Sequence, residues 1–244
     1  TSASVIAISK SEIHPRSIWG PFHSVIGEDA WSVEGGLSEA GALLDRVIAQ
    51  CQRNGAVHAD HEFVLGEIER HLCRKGYRFA DDLHVIPNPV GTRGLPLPGQ
   101  KGGSVEGLRP DTTDAGLAAL YWRTAVAVAL NVAEVVARMP TGTVPGRTLV
   151  ASGGLTSNPM LAQLFANATG CSLFLPVETD GILMGTAMAA RVAAGFDVTL
   201  EEAGRRLAPQ ARVLTPDPSA QRALALARQT KRRLETGTAT LSRT

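Results

Sequence analysis

Long apolar runs are missing from this 244-residue sequence. Its most apolar stretch, Thr124 to Ala137, is interrupted by Asn131 and Glu134, whereas a membrane span needs about 20 predominantly apolar residues. No transmembrane helix and no membrane partner are expected. Charge of one sign is missing as well: 24 Lys+Arg face 23 Asp+Glu, so the net charge exerts no general pull toward nucleic acid. Cysteine is scarce. Cys51, Cys73 and Cys171 are far apart and form no C-x-x-C pair, which fits free thiols in a reducing compartment and a cytoplasmic location. The N-terminus lacks a basic segment followed by an apolar one, so it is no signal peptide. It also lacks an initiator Met, which suggests processing or a piece of a longer chain. A P-loop, a G-x-S-x-G elbow and a G-x-G-x-x-G after the first strand are all absent; a P-loop NTPase, an α/β-hydrolase and a Rossmann dinucleotide binder are excluded with them.

What remains is the composition of a folded protein, 44% hydrophobic and 19% charged, enough to bury a core. Ser2 to Ser9 alternates apolar and small residues and predicts a strand. Ser11 to Trp31 mixes Pro, Gly and aromatics and predicts irregular structure, with Gly35-Gly36 as punctuation. Helices are predicted from Ser38 to Gln52 and from Asp60 to Arg74, the second stopped by Gly76. Pro87 to Pro110 is rich in proline and glycine, has no period, and predicts a long loop. Asp111, Thr112 and Thr113 offer N-caps for a long helix to Met139.

The tightest pattern follows. A strand at Thr148 to Ser152, a Gly153-Gly154 turn, a helix from Asn158 to Thr169, a strand at Ser172 to Leu175 and a helix from Gly181 to Ala194 make a β-α-β-α order, which predicts a parallel, helix-covered sheet. A capping box at Thr199 and Glu202 opens a short helix, and Pro216-Asp217 opens the last one, Pro218 to Glu235. Gly153 and Gly154 leave their backbone approachable, and the helix start near Asn158 would point free N–H groups at a phosphate or planar ligand. A plain tight turn explains the same two glycines. On the residues alone both readings stand.

Other candidates point to packing rather than chemistry. His58, Asp60, His61, His71 and Cys73 contain an H-x-x-H, but His58 and His61 straddle a helix start and no second ligand pair has standard spacing, so no metal site is expected. Asn167-Ala168-Thr169 is a formal glycosylation sequon at a helix end, expected to be silent. Arg228, Lys231, Arg232 and Arg233 read as a solvated helix face. Tyr121 and Trp122 read as core.

Three segments stand in order: W-S-V-E-G-G-L-S-E-A-G-A-L-L-D at Trp31 to Asp45, G-G-L-T-S-N-P-M-L from Gly153, and G-I-L-M-G-T-A-M-A-A at Gly181 to Ala190. Together they resemble the FGGY carbohydrate kinases, most closely the ribulokinase-like members, from Thr1 to about Gly195. His84 to Leu108 looks like that family's loop ahead of the long helix, with Gly91-Thr92-Arg93 where ribulokinase-like members often show Gly-Asn-Arg.

The resemblance implies an α/β, actin-like ATPase (ribonuclease H-like) fold with helices on both faces of a mixed sheet. It implies that residues 1–244 are a single domain, the C-terminal nucleotide-binding one, with sugar bound mainly by an N-terminal domain outside this chain. ATP and Mg²⁺ are the implied cofactors. Thr1 and Ser2 look like the remainder of a Gly-Thr phosphate motif. Gly153, Gly154 and Asn158 fall on the adenosine pocket, and Gly36 looks similar to a glycine near the phosphates. The family's catalytic Asp lies upstream of the Gly-Thr motif, so no catalytic residue is assigned here. The implied reaction is transfer of the ATP γ-phosphoryl group to a sugar hydroxyl, on a pentulose such as ribulose. A non-catalytic actin-like nucleotide-binding module is the alternative, and a homodimer is compatible with either.

Overall fold

The computed structural model describes residues 2–53, 58–87, 92–93, 103–109, 113–140, 148–177 and 180–241, with the backbone alone at 92–93 and 237–241. In chain order the elements are β1 (Ala3–Ser9), β2 (Trp19–His23), β3 (Trp31–Leu37), α1 (Gly41–Arg53), α2 (His61–Lys75), β4 (His84–Ile86), β5 (Thr92–Arg93), β6 (Ser104–Glu106) and α3 (Asp114–Arg138). They continue with β7 (Thr148–Val150), α4 (Gly154–Ser157), α5 (Pro159–Thr169), β8 (Ser172–Pro176), α6 (Gly181–Ala193), α7 (Leu200–Leu207), β9 (Ala211–Leu214) and α8 (Pro218–Leu241).

The first sheet is an antiparallel layer with β3 in its middle. β1 pairs along the whole of one edge of β3, while β2 and β5 share the other edge. Ser11 to Trp31 is therefore not wholly irregular: it contains β2 and leads into β3. β3 escapes a periodicity reading because Ser32, Val33, Gly35, Gly36 and Leu37 are all buried, leaving no inside–outside alternation to see. β4 and β6 form a separate hairpin, so β5 and β6 both lie inside the stretch expected to be loop.

The core is built around α3. Thr113 caps it, its Oγ1 accepting a hydrogen bond from the Gly116 N–H at 3.3 Å, and every residue from Tyr121 to Leu130 is buried. α3 has the length and apolarity of a membrane-crossing helix, but those side chains are used up in packing inside the protein. Leu44 and Ile48 of α1, Val64 and Ile68 of α2, and Leu161 and Leu164 of α5 join it in one cluster. Tyr121 and Trp122 sit there as expected, and burial together with the nearby Asp45 carboxylate pushes the Tyr121 hydroxyl up to about 12.

The last sheet is mixed rather than parallel. β7 runs parallel to β8, but β9, which the sequence did not lead us to expect, closes the other edge antiparallel. α5 covers its core face, where Leu173 and Leu175 are buried. Asn167 is also buried, donating to the Tyr77 hydroxyl at 2.7 Å and accepting from the Asp217 N–H at 2.8 Å, so the sequon is out of reach of modification. The solvated-face reading of the basic run fails at Lys231. That residue is 5% exposed, and its ammonium lies 3.2 Å from Glu134 and 2.8 Å from Glu235, tying α8 to α3.

α6 and α7 form a helical pair held by Asp197. This buried carboxylate lies 2.5 Å from Arg191 Nε and 2.9 Å from Arg206 Nε. The hydrogen bond from Arg191, reinforced by the charges of Arg191 and Arg206, holds its carboxyl below the usual carboxylate range. A depressed folded pKa stabilises above the unfolded value and loses that contribution as pH falls through the folded one. Acidification from about pH 5 to about pH 2 should therefore loosen the α6–α7 pair, and Asp197→Asn should lower its stability at neutral pH and blunt that acid response. Hydrogen exchange of the α6 and α7 amides across this range checks both.

Candidate functional site

The carboxyl ends of adjacent parallel strands bring two loops to one edge of the last sheet, the place where α/β folds bind ligands. After β7 the chain passes Ala151 and Ser152 into Gly153, whose φ of +105° lies in a region that side chains other than glycine rarely adopt. An added Cβ on Gly153 or Gly154 would meet no atom of the described residues within 4 Å. These glycines therefore border open space instead of a packed wall. Gly153 and Gly154 lend their carbonyls to the turn: the Thr156 N–H and Oγ1 donate to the Gly153 oxygen at 3.0 and 2.9 Å, and Ser157 Oγ donates to that of Gly154 at 2.7 Å.

Asn158 has a structural role that was not expected. Its Oδ1 accepts from the Met160 and Leu161 N–H groups at 3.0 and 3.1 Å and so caps α5. The amides expected to be free at this helix start are thus occupied by the Asn158 side chain, with Pro159 behind it contributing no N–H. Among the described residues the Asn158 amide nitrogen has no hydrogen-bond partner. The four-residue helix α4 in front of Asn158 was not anticipated either, being too short to leave a period.

Of the residues expected to face the phosphates, Gly36 lies on the first sheet. Gly36 stands opposite Ser4 of β1 and Arg93 of β5. An added Cβ would run into the Ala3 carbonyl oxygen and come within 3.0 Å of Ser4 Cα, so close strand packing alone demands glycine there. Ser2 is exposed just ahead of β1, and Thr1 lies outside the described residues. Strand pairing does not join this group to Gly153, Gly154 and Asn158 among the described residues. A common core does: Ala3 and Leu37 on one side and Ala151 and Leu155 on the other pack into the same cluster.

The histidines of the H-x-x-H are spent on helix packing. His61 Nδ1 lies 2.8 Å from the Tyr121 hydroxyl and its Nε2 lies 3.0 Å from Asp45, while His58 Nε2 lies 3.1 Å from Asp114. Among the described residues no group of three His, Cys, Asp or Glu side chains could hold a metal ion.

Two polar residues at this edge of the sheet were missed. Asp180 caps α6, its Oδ1 accepting from the Ile182 and Leu183 N–H groups at 2.8 and 3.3 Å, and Ser152 Oγ sits against Gly181, 3.0 Å from where a Cβ would be. An N-cap reading of Asp180 ahead of the apolar run was open to us. Its nearness to Ser152, 28 positions earlier, was not.

The sequence pattern that defines the FGGY family of carbohydrate kinases, C-terminal domain, matches residues 1–194. The chain belongs to this family. An FGGY carbohydrate kinase domain-containing protein of Danio rerio is 31% identical over 232 residues, 91% of this chain and 42% of that protein. A D-ribulokinase of Saccharomyces cerevisiae is 25% identical over 222 residues, 83% of this chain and 30% of that one. The chain thus spans about two fifths or less of the curated relatives it matches. The xylulose kinase of Rhodospirillum rubrum superposes with a TM-score of 0.73 at 18% identity, covering all of this chain and 46% of the other. That likeness shows the fold, the actin-like ATPase fold of FGGY sugar kinases.

Asn158→Ala should cost about 1 kcal/mol as a lost N-cap, while Asn158→Asp keeps the capping oxygen and most of the stability. Gly36→Ala should cost about 1–3 kcal/mol, because backbone must shift to admit the methyl group. Urea denaturation of the three variants measures the differences.

Proposed function

We propose that this chain is the ATP-binding half of a sugar kinase, which transfers the ATP γ-phosphoryl group to a carbohydrate hydroxyl, with a pentulose such as ribulose as the acceptor to test first. The single observation that carries the proposal is the open Gly153-Gly154 backbone at the carboxyl edge of β7, on the segment that carries the family's nucleotide motif. A Cβ there would fill the space an adenosine needs. The similarity to a D-ribulokinase supports a pentulose.

In this reading Gly153, Gly154 and Asn158 form the adenosine side, and Ser2 and Gly36, with Thr1, face the phosphates. Mg²⁺ would neutralise phosphate charge while keeping most of its water ligands, which suits the lack of a ligand cage among the described residues. The chain's residues position the nucleotide and exclude water; phosphoryl transfer needs little more from a protein than placement and charge stabilisation. No carboxylate here takes the role of general base, so the base and the sugar pocket are assigned to a further domain, as the greater length of the relatives suggests. The scarcity and wide spacing of cysteine support a cytoplasmic setting.

Calorimetry on the 244-residue chain should show weak Mg·ATP binding with preference over Mg·GTP, and Gly154→Val should abolish it with an unchanged melting temperature. Equal binding of ATP and GTP, or no binding by a folded chain at millimolar nucleotide, overturns the site. In a coupled ADP-release assay with pentuloses and hexuloses the chain alone should show no sugar-dependent turnover, since general-base catalysis is worth about 10²–10⁴-fold and acceptor positioning more. Sugar-dependent turnover by this chain would place the base within it. ATP binding without sugar turnover in a longer natural protein would favour the non-catalytic module.

A further inference from the structure

β1 and β7 each end a sheet, and each has one edge with no strand partner among the described residues. The two edges belong to a single body. Ala3 and Val5 of β1 and Leu149 of β7, with Ala151 just beyond it, pack on one core cluster. Direction can be read from a second cluster. Ala7 packs there with Val135 and Met139, at the end of α3 from which the chain runs on to β7. β1 therefore finishes at the side where β7 starts, and the two strands run in opposite directions.

An open edge is a liability that proteins blunt with lysine, proline or a bulge. β1 has none of these. Its sequence, Ala-Ser-Val-Ile-Ala-Ile-Ser, is uncharged, with Val5, Ile6 and Ile8 β-branched, and its register with β3 runs unbroken from Ala3 opposite Leu37 to Ser9 opposite Trp31. β7, Thr-Leu-Val, is equally bare. Segments of this kind are templates for further strand pairing. One strand laid between them would satisfy both edges and turn two sheets into one.

We infer that the slot between β1 and β7 is filled by a β-strand of the polypeptide that stands ahead of Thr1 in the longer natural protein. This rests on the reading of the chain as one half of a larger kinase. The matched family pattern is a C-terminal domain, and the part of the Danio rerio relative that aligns is 42% of that protein. A strand joined to β1 through a tight turn ahead of Ala3 runs antiparallel to it, as in any hairpin. β3 holds the other edge of β1, so the open edge is the one it takes. It then lies parallel to β7, extending the parallel pairing of β7 with β8. The turn ahead of Ala3 thereby comes to the carboxyl edge beside Gly153, and the two halves of the proposed nucleotide site meet across a single strand. A second copy of the chain is a poorer fit, because pairing β1 with another β1 leaves β7 open.

Hydrogen exchange, read residue by residue without nucleotide, compares the 244-residue chain with the longer natural protein. Successive amides of a strand point to opposite edges, so in the chain alone every second amide of β1, those not bonded to β3, should exchange freely. In the longer protein those amides, and the ones on the open edge of β7, should exchange about 10²-fold more slowly or more. The same alternating pattern in both proteins overturns the proposal, as does a natural protein with no residues ahead of Thr1. Protection of every β1 amide in the 244-residue chain also overturns it, in favour of a second copy where sedimentation shows a dimer and of the chain's own residues where it shows a monomer. Because no nucleotide is present, failure here leaves the ATP site standing, and failure of the ATP titration leaves the strand standing.

Discussion

One helix must be buried on every side, and the rest of the structure answers to that demand. Ten consecutive residues of α3, Tyr121 to Leu130, are inaccessible, which in a helix of 3.6 residues per turn means that no face is left for water. Each face then needs a neighbour. α1, α2 and α5 supply three, and β1 and β3 another. At about 25 cal/mol per Å² of apolar surface, this packing is the main source of cohesion between the two sheets. Of the polar groups caught in it, Thr124 Oγ1 donates to the Leu120 carbonyl at 2.8 Å and Arg123 Nη2 lies 3.5 Å from His84 Nδ1, whereas Arg123 Nε and Trp122 Nε1 are buried with no hydrogen-bond partner among the described residues. Burial and the Arg123 charge push the His84 imidazole below its ordinary pKa, keeping it neutral beside the guanidinium.

Helices were legible in the sequence because their signals are local. Val64, Ile68 and Leu72 announce α2 by spacing alone, and Gly76 closes it at a φ of 55°. Strands were legible only where one face meets water. β1 alternates and was found; β3 is buried on both faces and was not, its glycine pair imitating a turn. β9 and the short β5 and β6 carry too few residues for any period, and β2 holds a Gly-Pro pair that sequence rules read as a break. Depth was equally hidden. The spacing of Lys231 places it on a helix, but only the docking of α8 beside Glu134 puts its charge inside the protein.

The site divides along the same line. The strand–turn–helix around Gly153 is contiguous and could be read as a unit, glycine conformation included. Ser152 and Gly181 come together only because β7 and β8 lie in parallel register, Val150 beside Phe174. Nothing in either residue's sequence neighbourhood announces the other. Asn158 shows a third case: it was expected on an adenosine pocket from the resemblance alone, and the structure shows its side-chain oxygen engaged in capping α5.

The two Gly-Gly pairs of the chain look alike in sequence and arise from opposite physical causes. Gly35 and Gly36 are crowded. A Cβ on Gly35 would lie 2.7 Å from Ile18 Cδ1 and 2.8 Å from Val135 Cγ1, and one on Gly36 would strike the Ala3 carbonyl. They let α3 approach β3 on one side and β1 close on the other, and a core this tightly interdigitated has no slack to absorb a methyl group. Gly153 and Gly154 are uncrowded, with nothing of the described protein in reach. Crowding explains a glycine without any ligand. Openness does so only through φ, and that reason covers Gly153 but not Gly154, whose backbone is helical. Glycine at position 154, at a cost of about 1 kcal/mol in a helix relative to Ala, is thus the feature of the turn that packing against the described residues and backbone geometry leave unexplained, and it is the position on which the proposed approach of a nucleotide turns.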